Sequence, residues 1–182
     1  NEFLINIFEP LLKKVWESSE INWPSNNIEK ELPKWKQVFS PSDFGFHNAI
    51  LKTTDDLIFL DFEYFGRDDP VKLIADFVWH PGMKLKDSQK TDWIYGAFGI
   101  FKNDPELIKR FLSAWPLYGL RWSLILLNEF LEDGWHKRAY ANDNLRHLHK
   151  KKLASQLIKA KDICNKVQVT NMKCPYIIDL NE

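Results

Sequence analysis

From residue 3 onward the apolar positions Phe3, Leu4, Ile7, Phe8, Leu11, Leu12, Val15 and Trp16 recur at the spacing of one helical face, which predicts a helix over 3–16. Pro10 falls inside the pattern and reads as part of the first turn of the main helix, where a missing N–H breaks no bond. The polar run 18–27, with Pro24, predicts a loop, and Pro33 limits 29–35 to one short helical turn. The period then changes. Two short apolar runs, Ala49-Ile50-Leu51 and Leu57-Ile58-Phe59-Leu60, flank the polar Thr53-Thr54-Asp55-Asp56 and predict two buried strands joined as a hairpin. Pro41 holds Ser40 extended on the way in. Gly66-Arg67-Asp68-Asp69-Pro70 reads as a turn delivering a helix, with Asp69 as N-cap and Pro70 at the first position. Leu73, Ile74, Phe77 and Val78 are its buried stripe, and His80-Pro81-Gly82 ends it.

The remainder is helical. A polar crossing loop over 83–90 leads to a helix over 91–102 with Trp93, Ile94, Phe98 and Phe101 inward. Asp104-Pro105-Glu106 starts another, carrying Leu107, Ile108, Phe111, Leu112 and Trp115, and Pro116 is expected to break it. A further helix with Leu120, Leu124, Leu127, Phe130 and Leu131 stops at Gly134. The last, over 142–169, shows Leu145, Leu148, Leu153, Leu157, Ala160 and Cys164 on one face, before a docked or frayed tail over 170–182. There is no internal repeat. The pattern predicts an α+β, predominantly α chain, one domain over 1–182, with a small β-hairpin.

The candidate chemistry sits at that hairpin. Asp43 and Asn48 lie on the connection entering the first strand, and Asp61 ends the second. Antiparallel pairing brings Asn48 and Asp61 to the same end, with a loop carboxylate beside them. Mg²⁺ takes oxygen ligands and binds through one or two protein groups plus phosphates, a role that Asn48 and Asp61 suit. Asp43 would then orient an attacking hydroxyl. A lone loop carboxylate is ordinarily a cap or turn residue, as Asp55 and Asp56 are expected to be. The three together argue for more. Asp, four residues, Asn, a strand, a turn and a strand ending in Asp is the order of a kinase catalytic loop and its metal-binding Asp.

The stretch 39–77 resembles the aminoglycoside phosphotransferase and choline kinase group, small-molecule kinases built on a protein-kinase-like C-terminal lobe. Asp61-Phe62-Glu63-Tyr64, Gly66, Asp69-Pro70 and Leu73-Ile74-Ala75-Asp76-Phe77 extend the likeness. The resemblance implies that Asp43 is the catalytic base and that Asn48 and Asp61 hold the Mg²⁺ of ATP or another nucleoside triphosphate. It implies transfer of the γ-phosphoryl group to a hydroxyl of an amino sugar, sugar or amino alcohol. The alternative is a catalytically inactive lobe serving as a binding or regulatory module; a metal-dependent hydrolase using the same carboxylates is a third reading. One departure stands out: the group has His-Gly before the base, and this chain has Pro41-Ser42, so support for the loop must come from elsewhere. The Gly-rich loop and Lys-bearing strand of the kinase N-terminal lobe have no counterpart, and the chain opens at Asn1 without Met. It is therefore expected to be the C-terminal part of a longer protein whose N-terminal lobe is its partner.

Other residues have plainer readings. Asp76 lies near a buried stripe and is expected to hydrogen-bond back to the loop backbone. Arg67 is a surface turn residue or steadies a phosphate. His47 helps hold the loop, since Mg²⁺ avoids imidazole. Trp115, Trp122 and Trp135 fit core and helix-junction packing better than an aromatic box for a quaternary ammonium. Glu129, Glu132 and Asp133 are solvated or catch a cationic substrate, and Arg146 with Lys150-Lys151-Lys152 is a solvated face. His147 and His149 do not share a helix face. With 25 basic and 25 acidic residues no single-sign field points to nucleic acid or an anionic membrane. No apolar run approaches a membrane span, and the opening residues do not read as a charged-then-apolar signal peptide, so none is expected. Two cysteines, Cys164 and Cys174, lack metal spacing and fit a reduced, cytoplasmic chain.

Overall fold

The computed structural model describes residues 1–24, 27–131 and 145–177, with side chains from 149 in the last segment. It is an α+β chain, mostly helical, with two small antiparallel sheets. A π-helical turn, Leu4–Phe8, runs into α1, Glu9–Asn22, with Pro10 in the first turn of α1. The helix overruns the predicted loop at 18–22 for a tertiary reason. Ser19 is buried and its hydroxyl donates to the Ser113 carbonyl at 2.7 Å. After a 3₁₀ turn at Lys34–Lys36 come β1 (Val38–Ser40), β2 (Ala49–Leu51), β3 (Leu57–Phe59) and β4 (Gly66–Asp68).

The hairpin forms as read, with Ala49 opposite Phe59 and Leu51 opposite Leu57. Its burial does not. Leu51 is 64% exposed and Ile50, Leu57, Ile58 and Leu60 are open as well, on both faces of the hairpin, because little of it beyond Phe59 is covered by a described element. Gly66–Asp68 is likewise not a turn but a strand, pairing with β1 so that Arg67 faces Phe39. Arg67 lays its guanidinium 4.6 Å from the Phe39 ring, which stacks on Phe65.

The helices α2 (Pro70–Trp79), α3 (Asp87–Ile100), α4 (Leu107–Leu126) and α5 (Leu145–Val169) build the core, with a 3₁₀ turn at Leu127–Phe130 after α4. Asp69 caps α2 by accepting the Val71 N–H, as its sequence foretells. Pro116 does not break α4. A mid-helix proline costs about 3 kcal/mol, but Phe111 and Trp115 before it and Leu120 and Trp122 after it are all buried, and two broken helices would forfeit that continuous face. One cluster packs α2, α3 and the first half of α4 with Cys174; the other packs α1, the second half of α4 and α5. Trp79 touches both, and its indole N–H donates to the Trp115 carbonyl at 3.0 Å. The segment after α5 is docked through residue 177, with Cys174 buried and Tyr176 and Ile177 against the core. Trp115 and Trp122 are core residues. Glu132, Asp133, Gly134, Trp135 and the expected helix start at 142 lie outside the described residues, as do the side chains of Arg146 and His147. Among the described residues no helix is long and apolar enough to cross a membrane.

Candidate active site

The loop between β1 and β2 carries the site, and its anchor is the residue after the candidate base. Phe44 packs against Phe59 of β3, Phe77 of α2 and Trp93 of α3, with ring centroids 4.8, 5.7 and 6.0 Å apart. That ring packing positions Asp43 at the loop surface. Asn48 then ties the loop shut: its Nδ2 donates to the Asp43 carbonyl at 3.0 Å and to Asp43 Oδ2 at 3.2 Å. The Leu60 N–H donates to the Asn48 carbonyl at 2.8 Å, which extends the hairpin ladder by one step and sets Asp61 at the end that holds Asn48. Asp43 and Asn48 are thus in direct contact. Asp61 stands next along the hairpin, with a left-handed φ of 61° and a carboxylate that forms no hydrogen bond or ion pair among the described residues. The Tyr64 phenol is pushed above its ordinary value chiefly by Glu63, through a hydrogen bond and its charge, and less by burial and by Asp61 and Asp43.

His47 and Asp43 Oδ1 lie 3.0 Å apart, so both carboxylate oxygens of Asp43 are held by the loop's own side chains. The His47 ring stacks on His80 at 4.3 Å, and His80 meets Trp122 edge-on at 4.5 Å. The loop is thus braced from within by His47, four residues after Asp43, and from the end of α2 by His80. Ser42 itself has a left-handed φ of 62° and accepts from Lys72 Nζ at 2.9 Å.

Asp43, His47 and His80 bring ligand-type atoms within 4.8 Å of one another. They do not make a good transition-metal set. The two rings are nearly parallel, 11° apart, so a metal in the plane of one lies out of the plane of the other. His80 Nδ1 also accepts the Gly82 N–H at 3.0 Å, so ligation through its other nitrogen would need lone pairs on both nitrogens at once. By donor type, Asn48 Oδ1, left over when Nδ2 is used on Asp43, and the uncommitted Asp61 carboxylate are oxygen ligands of the kind a hard cation takes.

A pocket of about 520 Å³ opens beside Asp43, walled by Lys72, Asp76 and His80 of the α2 region and by Arg121 and Trp122 of α4. Asp76 does not return to the loop backbone as expected. It accepts from Arg121 Nη1 at 2.7 and 2.6 Å and from Trp122 Nε1 at 3.0 Å, because α4 rather than the loop faces that side of α2. Burial raises its carboxyl above the usual carboxylate range even though Arg121 pulls it down. Arg67, in β4, is not part of the wall. Glu129 pairs with Lys152 at 2.8 Å, while Lys150 and Lys151 are exposed as expected.

Lys72, His80, Arg121 and Tyr64 were not singled out by the residue pattern, although a signal exists. Lys72, Asp76 and His80 recur every four residues, a polar stripe along a helix whose other positions are mostly apolar. Comparison of the chain with protein-family models, with curated proteins and with solved structures finds no match.

Proposed function

We propose that this chain is the helical lobe of a small-molecule phosphotransferase of the aminoglycoside phosphotransferase and choline kinase type, moving the γ-phosphoryl group of ATP or a related triphosphate onto an alcohol. The observation that carries the reading is the contact of Asp43 with Asn48 at the hairpin end that also holds Asp61, with Asp43 itself on the wall of a concave pocket. Asn48 through its amide oxygen and Asp61 through its carboxylate would hold Mg²⁺, which when bound neutralises charge on the phosphates. Asp43, pinned by Asn48 and His47, points its remaining lone pairs at the pocket, where it aligns the acceptor hydroxyl and receives its proton. Trp122 and Ile125 back the site with apolar surface, and Lys72 and Arg121 add positive charge to its wall. Ser42 takes the backbone conformation open to glycine at the position where the resembled group has glycine. The exposed apolar residues of the hairpin suit a covering lobe that supplies the Gly-rich loop and Lys.

The test is made on the full-length protein, by titration calorimetry of ATP with and without Mg²⁺ and by ADP release against a panel of alcohols. Asp61→Ala abolishes Mg²⁺-dependent nucleotide binding. Asp43→Ala leaves that binding intact and lowers turnover by about 10²–10⁴-fold. Nucleotide binding without turnover would make the chain a regulatory lobe. Turnover indifferent to Asp43 would remove this mechanism.

A further inference from the structure

His80 belongs to two walls. One is the site pocket; the other bounds a second cavity, of about 470 Å³, between the end of α2, the turn after it, α5 and the C-terminal segment. Four lysines, Lys84, Lys90, Lys159 and Lys166, line this cavity against a single lining carboxylate, Asp162. Lys90 is engaged, donating to Asp87 and to the Tyr176 hydroxyl at 2.9 Å each. Lys84, Lys159 and Lys166 have no carboxylate partner among the described residues. Asp162, three residues from Lys159 and four from Lys166, pairs with neither. Unpaired ammonium groups around one concavity repel each other and raise the local concentration of anions. The floor between them is aromatic, formed by Trp79, Trp115 and Tyr176. A cationic rim over an aromatic floor fits a ring that carries oxyanions, and fits a cationic or purely aliphatic ligand poorly.

The site pocket adds a second constraint. Its described acids are already committed: Asp76 to Arg121 and Trp122, and Asp43 to Asn48 and His47. No free carboxylate beyond the reacting one awaits an ammonium group there. A ring nitrogen of His80 lies within 4.8 Å of an Asp43 carboxylate oxygen, so one imidazole separates the lysine cavity from the reacting end.

We propose that the lysine-lined cavity is the anion subsite of the acceptor, and that the acceptor is a sugar-like alcohol bearing phosphate groups. The phosphates sit among Lys84, Lys159 and Lys166, the ring lies on Tyr176 and Trp79, and a free hydroxyl reaches past His80 to Asp43. The oxygen of that hydroxyl bonds to the γ-phosphorus, the bond from the γ-phosphorus to the β,γ-bridging oxygen breaks, ADP leaves, and the hydroxyl proton passes to Asp43. The hydroxyl's placement rests on the phosphotransferase reading; the subsite does not.

Fructose 1,6-bisphosphate, fructose and inorganic phosphate are titrated calorimetrically into the full-length protein at low and high salt. The bisphosphate binds, fructose does not, and added salt weakens binding. Lys159→Ala with Lys166→Ala weakens the bisphosphate at least about tenfold, the loss expected when charge-assisted contacts are removed. Lys150→Ala with Lys151→Ala, on an exposed stretch of the same helix, leaves it unchanged. Absence of bisphosphate binding, or equal losses in the two double variants, overturns the subsite. Inorganic phosphate binding as tightly as the bisphosphate overturns its assignment to an acceptor. Bisphosphate binding that survives while no alcohol is ever phosphorylated sinks the phosphotransferase reading and leaves the subsite standing.

Discussion

Replacing Asp69 with alanine tests whether the pocket wall hangs from one buried ion pair. Arg110 is 2% exposed and donates through Nε and Nη2 to the two oxygens of Asp69, at 2.9 and 3.1 Å. Burial disfavours the guanidinium charge, but Asp69 and Asp104 outweigh it and push its pKa upward, so Arg110 stays charged. Asp69 Oδ1 also caps α2. Asp69→Ala therefore removes a helix cap, at about 1 kcal/mol, and breaks a buried pair, which costs about 3–5 kcal/mol when one charge is left behind. Asp104 Oδ2, 2.8 Å from Arg110 Nη2, stays to offset part of that charge, and Asp69 is itself 20% exposed. The net expectation is about 3 kcal/mol. Asp69→Asn keeps one oxygen, which at the Oδ1 position can still accept the Val71 and Arg110 Nη2 N–H groups, but it loses the charge and the acceptor for Nε, so it recovers only part of that loss. Urea denaturation with an unchanged m-value reads both. A loss below about 1 kcal/mol for Asp69→Ala would show that Asp104 alone carries Arg110, and the argument that α2 is held from its first turn would fail.

Two further outcomes follow from packing and titration. At Gly119 an added Cβ would lie 2.8 Å from Trp79 Cζ2, on an indole fixed by its bond to Trp115, so Gly119→Ala should destabilise by about 1–2 kcal/mol despite alanine's better helix propensity; a raised melting temperature in calorimetry would contradict this. His80 is held below its ordinary pKa of 6.5 by burial and by the neighbouring His47, against the pull of Asp43. Its unfolded form takes up the proton first, so the stability contributed by the neutral ring is complete above pH 6.5 and drains as pH falls through the window beneath it. His80→Gln should flatten that part of a stability–pH curve, and an unaltered slope would place the titration elsewhere.

Local signals were legible in the sequence and distant ones were not. Asp69-Pro70 declares a helix start within two residues, and the apolar–polar–apolar run from Ala49 to Leu60 fixes a hairpin register, which is enough to set Asn48 and Asp61 at one end. The partners decided by tertiary packing were misread. Gly66–Asp68 looks like a turn until β1, more than twenty residues upstream, supplies a ladder. Asp76 finds Arg121 and Trp122 on a helix whose continuity a reader of Pro116 would deny, so a straight α4 and the pocket wall were missed together. The apolar runs of the hairpin signalled strands correctly but not burial, because period and composition say that a face is sticky, not what covers it.

That contrast divides the site into halves of different stiffness. The α2 half is clamped to α4 at Asp69–Arg110, at Asp76 with Arg121 and Trp122, and at Trp79–Trp115, over a helix of only ten residues. The hairpin half, which ends in Asp61, is held to the rest by Phe44, Phe59 and the Asn48 bonds, and its outer face is bare. Rigid placement suits residues whose proposed task is to aim a proton acceptor and an alcohol, since misplacement there is costly in rate. Looser placement suits a carboxylate whose proposed task is to gather a hydrated cation that arrives with its nucleotide, because few buried contacts must be broken for that element to adjust. The backbone at Asp61 is held at a positive φ without a side-chain partner among the described residues, and on the proposed reading a bound nucleotide and its cation would be what orders it.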